Sequence, residues 1–129
     1  KQLQNVRFID YLPRDEYEKL LRAADVGLIN LDRRFTIPNN PAKAVSYMEA
    51  GIPILAALEK NSDFGKMIEE IGAGLWSETG DLDSYRQNFD KLLTDIELRE
   101  RMYNNACAFM KENMTVSSAY RRIVYKSFF

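Results

Sequence analysis

Between residues 6 and 76 the chain alternates between two spacings of apolar residues, and that alternation limits its fold more than any single residue does. Short apolar runs at 6–9, 26–31, 52–57 and 75–76 read as strands, the third apolar enough to be covered on both faces. Between them lie helical patterns. Tyr17, Leu20, Leu21 and Ala24 recur at helical spacing, a helix is expected between Pro41 and Gly51, and residues 63–71 form a third, stopped by Gly72 and Gly74. Such alternation predicts an α/β fold, a Rossmann-like parallel sheet of about four strands with right-handed crossovers and flanking helices. Beyond residue 80 the pattern is helical throughout. One expected helix has Leu82, Tyr85, Phe89, Leu92 and Leu93 on one face. A second, at about 96–112, turns Leu98, Met102, Ala106, Phe109 and Met110 inward. A third, from about Ser117, aligns Tyr120, Ile123, Val124 and Phe128. No repeat or linker divides the chain, so residues 1–129 are expected to form one domain.

The segment PNNPAKAVSYMEAGIPILA at 38–56 carries the most chemistry. Asn40 suits a helix N-cap, Pro41 suits the first turn, and Gly51 suits a left-handed stop. A helix entered through a tight polar loop presents free N–H groups and the positive end of its dipole, with Lys43 in the first turn to add charge. That combination predicts an anion site, and specifically a phosphate site. In open parallel sheets, ligands bind beyond the carboxyl ends of the strands, where loops carrying Asp10-Tyr11-Leu12, residues 30–40 and residues 57–61 would gather.

Composition excludes several other chemistries. The chain has no histidine, hence no Ser-His-Asp or Cys-His nucleophile system and no histidine metal site. The single cysteine, Cys107, excludes an internal disulfide and fits a reducing compartment. A net charge of −1 gives no case for nucleic-acid binding. No apolar run approaches the roughly 18 residues that span a bilayer, and no signal-peptide pattern is read at the start. A strand pattern that begins almost at Lys1 has two readings, proteolytic processing or a piece cut from a longer protein, and the second is the expectation.

The stretch PAKAVSYMEAGIPILA resembles the nucleotide-sugar-binding segment of family 4 retaining glycosyltransferases, which have the GT-B fold. Pro41, Lys43, Tyr47, Met48, Gly51 and Pro53 fill the register of a Pro-x-Lys-x-x-Glu-Tyr-Met-x-x-Gly-x-Pro pattern. NVRFIDYLPRDEYEKLLRAADVGLI before it, and IEEIGAGLW and DIELRERMYNNACAFMKEN after it, are similar to the family's flanking elements. The resemblance implies the later part of a C-terminal nucleotide-sugar-binding lobe, with its opening strands and the whole N-terminal lobe missing, so the fragment is expected to be inactive alone. The implied activity is transfer of a hexose from an NDP-sugar, of UDP or GDP type, to a glycan or lipid-linked acceptor held largely by the missing lobe. No metal or cofactor is implied. Polysaccharide biosynthesis in the cytoplasm, with the inner face of the membrane and peripheral association there as a second location, completes the expectation. The implied donor-binding residues are Asn39, Asn40, Pro41, Ala42, Lys43 and Ser46, with Tyr11 and Leu12 against the base; no catalytic residue is assigned.

One departure from the family stands out. Where family members carry two glutamates eight positions apart, this chain has Pro38 and Ser46. A serine hydroxyl still bonds a ribose, though more weakly than a carboxylate does, and Glu49 lies three residues along the same helix. A non-catalytic nucleotide-sugar binder and an interaction module on the same fold therefore remain as alternatives. Other features have two readings each. Lys43 is a phosphate ligand or a solvated helix residue. Arg33 and Arg34 contact a phosphate or acceptor, or decorate a loop. Asp81-Leu82-Asp83 spells the Asp-x-Asp string of metal-dependent transferases of another fold, and is read as a helix cap.

Overall fold

The computed structural model describes residues 3–35 and 41–128. β2 (Ile54–Leu58) lies at the centre of a three-stranded parallel sheet, between β1 (Gly27–Asn30) and β3 (Gly74–Glu78). The ladder pairs Gly27 with Ile54 and Asn30 with Ala57 on one side, and Ile54 with Gly74 and Leu58 with Glu78 on the other. Both faces of β2 are covered, as its unbroken apolar sequence requires. Ile54, Ala56 and Leu58 pack with Ala44 and Met48 of α2 (Ala42–Ala50) and with Phe64 and Ile68 of α3 (Asp63–Ile71). Leu55 points the other way, toward Leu92 of α4 (Leu82–Thr94) and Met102 of α5 (Ile96–Asn113). Right-handed crossovers put the two connecting helices on one face, and α4 then covers the other. α1 (Arg14–Ala23) packs on α2, and α6 (Val116–Phe128) packs on α5. The expected α/β fold with helices after it is the one observed.

The strand count differs from the expectation. Residues 6–9 form no strand; they are exposed, with Phe8 at 90%, and pair with nothing among the described residues. A β-prone run needs a ladder partner, and propensity alone does not supply one. Gly74 is also not a helix stop. Gly72 ends α3 with φ 72°, while Gly74 opens β3 against the backbone of Ile54. Outward positions on the late helices are more open than their pattern predicts. Leu82, Phe89 and Leu93 of α4, and Tyr120 and Ile123 of α6, are exposed.

α5 lies along the amino edge of the sheet and closes the ends of α2 and α3. Its Tyr103 ring lies over Gly51, and the Asn105 side-chain amide donates to the Gly72 carbonyl at 3.1 Å. Gly51 ends α2 at φ 71°, where its N–H bonds the Met48 carbonyl, as expected from the sequence. The carboxyl edge carries the loops and the helix N-termini.

Candidate functional site

At the carboxyl edge each parallel strand hands the chain to a helix that starts there: α2 after β1, α3 after β2, α4 after β3. Two of these starts are closed by side chains. Ser62 Oγ accepts from the Gly65 N–H, and Asp81 accepts from both the N–H of Ser84 at 3.0 Å and its hydroxyl at 2.7 Å. Those bonds hold the Asp81 carboxyl below the usual carboxylate range, with the Ser84 hydroxyl the larger cause. Asp81 therefore acts as a cap, and among the described residues no group of acidic, histidine or cysteine side chains is arranged to hold a metal.

α2 starts differently. Pro41 itself occupies the N-cap position, one residue before the first turn in which the sequence placed it, and it has no side chain that accepts a hydrogen bond. Its carbonyl accepts from the Ala44 N–H at 2.9 Å. The proline ring fixes a φ of −59° and removes one donor, and no side chain among the described residues caps the helix. No acid lies in the first turn to neutralise the dipole. Ala42 and Lys43 are exposed there, and Lys43 makes no ion pair among the described residues. Asn39 and Asn40, the expected cap and its neighbour, lie outside the described residues, as does Pro38.

The rest of α2 anchors this turn. Met48 and Ala44 are buried in the core at 1% and 2% exposure. Tyr47 is half-buried against Gly27, where any Cβ would sit 2.6 Å from its ring, and its hydroxyl donates to the Leu28 carbonyl at 3.3 Å. Burial, with a smaller contribution from Tyr17, raises the Tyr47 pKa, so the hydroxyl stays protonated and able to donate. Tyr47 and Met48 thus fix the helix to β1 and β2 and are not free to meet a ligand.

Ser46 is half-buried and faces α1. It lines a groove of about 420 Å³ with Arg14, Tyr17, Arg22 and Glu49. At 1.5 Å rise per residue it lies roughly 7 Å down the helix from Pro41. Serine 46 and Glu49 therefore share one groove, as their spacing predicts. Tyr11 is 81% exposed and Leu12 half-buried, just ahead of α1. Of the two loop arginines, Arg34 folds back on Asp32 through paired 2.9 Å contacts, which hold the Asp32 carboxyl low; Arg33 is exposed beside it.

Sequence reasoning missed a second feature of this edge. On the α4 side, Asn30, Ala57, Leu82 and Tyr85 line a hollow of about 210 Å³, with Tyr85 donating to Asn30 Oδ1 at 3.1 Å. Thr79 ties the same edge together, its hydroxyl donating to the Leu31 carbonyl at 3.0 Å. The one available signal was Asn30, a polar residue ending an apolar strand.

Comparison with known proteins adds a family to this geometry. Residues 1–109 match the model of the family described as glycosyl transferases group 1. A probable glycosyltransferase, WbjE of Pseudomonas aeruginosa, is 36% identical over 73 residues, which are 57% of this chain and 18% of that protein. The chain thus spans less than a fifth of the length of that curated relative. No solved structure matches.

Proposed function

Since the chain belongs to the glycosyl transferases group 1 family, we propose that residues 1–129 are the donor-binding portion of a retaining, family 4 glycosyltransferase of GT-B architecture. The observation that carries this reading is the start of α2. Unlike α3 and α4 it has no side-chain cap among the described residues, and unlike α1, whose N-cap is also a proline, it has no acid in its first turn, where Lys43 is exposed. Free N–H groups, a positive dipole end and a lysine together suit the diphosphate of an NDP-sugar. As the sugar leaves, negative charge builds on that diphosphate, and fixed donors aimed at it lower the barrier. Asn39, Asn40, Pro41, Ala42 and Lys43 are the proposed diphosphate contacts, Ser46 a ribose contact, and Tyr11 and Leu12 the base contacts. The chemistry requires no metal.

The free edge of β1 supports the partial-lobe reading. Leu28 is 47% exposed on the face α4 leaves open, and parallel sheets are ordinarily covered on both sides. In the proposed full protein, further strands of the lobe pair with β1, and a second lobe brings a glycan or lipid-linked acceptor to the carboxyl edge. The protein would work in the cytoplasm or at the inner face of the membrane.

Titration of the intact protein with UDP, GDP and their sugars, followed by transfer assays, tests the proposal. Binding and transfer support it. Binding without transfer or hydrolysis would instead assign a nucleotide-sugar-binding pseudoenzyme, a reading favoured by Ser46 where relatives carry an acid. No binding to any nucleotide would leave an interaction module.

A further inference from the structure

Charge in the groove between α1 and α2 is unevenly spent. Arg14 and Glu18 pair with each other on α1 at 3.0 Å. Arg22 of α1 and Glu49 of α2 line the same groove, yet neither makes an ion pair among the described residues. Ser46 is half-buried on the α2 wall, and the groove keeps about 420 Å³ beside it. Residues three apart on a helix are surface neighbours, with Cβ atoms about 5–6 Å apart. A helical side chain also covers the surface on the N-terminal side of its own Cα, so the Glu49 carboxylate leans back toward the level of Ser46. The α2 wall thus presents a hydroxyl and a carboxylate together, about one and a half turns from the helix start.

Chemistry selects what such a wall accepts. An ionised carboxylate only accepts hydrogen bonds, so its ligand must bring O–H or N–H donors. An anionic group placed there would meet repulsion from Glu49. A vicinal diol satisfies the groove instead, its hydroxyls donating to Glu49 and accepting from Arg22 or Ser46. A nucleoside diphosphate laid along α2, with its diphosphate at the helix start, carries such a diol in its ribose. Acidic side chains hold ribose hydroxyls in this way in dinucleotide-binding α/β sheets. We propose that Glu49 binds the ribose hydroxyls and makes the site selective for ribonucleotides over their 2′-deoxy forms. This inference rests on the donor-site reading and adds to it a binding residue and a selectivity.

Calorimetric titration of the intact protein with UDP, GDP and their 2′-deoxy forms tests it, with Glu49→Ala and Lys43→Ala alongside. The wild type is expected to bind its better ribonucleotide about tenfold more tightly than the 2′-deoxy form. Glu49→Ala should weaken ribonucleotide binding by about the same factor and remove most of that preference. Lys43→Ala should weaken both forms alike and keep the preference, because its proposed contact is the diphosphate. Glu49 is exposed, so its variant should keep the wild-type thermal stability. Unchanged ribonucleotide affinity in Glu49→Ala, or an equal loss for both forms, overturns the role of Glu49 and leaves the donor site standing. Failure of the wild type to bind either nucleotide overturns it together with the reading on which it rests.

Discussion

At the scale of the residue, Gly51 and Asp81 were readable because their roles are local. Gly51 adopts φ 71°, and Tyr103 leaves no room for a side chain there. Gly51→Ala should therefore cost about 1–3 kcal/mol, measured as a shift in urea midpoint at constant m-value. Asp81 caps α4, with its folded pKa lowered by Ser84. For a lowered carboxylate, the stabilising contribution is present above the unfolded value and is lost as pH falls through the folded one. Wild-type stability should thus fall on acidification below about pH 4, and Asp81→Asn should flatten that limb of the Tm profile. Asp32, held low by Arg34, contributes in the same direction, so some slope remains in the variant. Asn30 was legible as a position at the ligand edge, but not as the partner of Tyr85. Its partner Tyr85 lies 55 positions away, and no spacing rule connects a strand end to a helix face at that separation.

The elements show where pattern succeeds and where it fails. β2 and α3 were legible because their apolar residues meet neighbours on every side that the pattern requires. Leu55 is fully buried between α4 and α5, so Leu55→Ala should cost about 2–5 kcal/mol in chemical denaturation. The run at 6–9 has the right residues for a strand, but pairing is non-local and a sequence pattern does not state it. α1 has the spacing of an amphipathic helix yet buries no residue. Amide hydrogen exchange should consequently rank β2 slowest and α1 among the fastest, and equal protection of the two would contradict this packing. α6 was legible as a helix, but its facing was not. The Thr115–Ser118 pair rotates its polar side inward, whereas periodicity alone would put its apolar side there.

At the scale of the whole molecule, three parallel strands gather helix starts on one edge, and α5 packs against the ends of α2 and α3 at the other. Ser62 and Asp81 cap two of the helix starts, whereas the start of α2 has no side-chain cap among the described residues and carries Lys43 beside Pro41. In the proposed reading the anion is an NDP-sugar, and the start of α2 is the place proposed for its diphosphate. Calorimetric titration of the intact protein and its Lys43→Ala variant with the preferred nucleotide tests that claim most directly. Loss of a charge-assisted contact of roughly 1.5–3 kcal/mol should weaken binding by about 10- to 150-fold with the fold intact. Equal affinity of the two proteins would contradict the account.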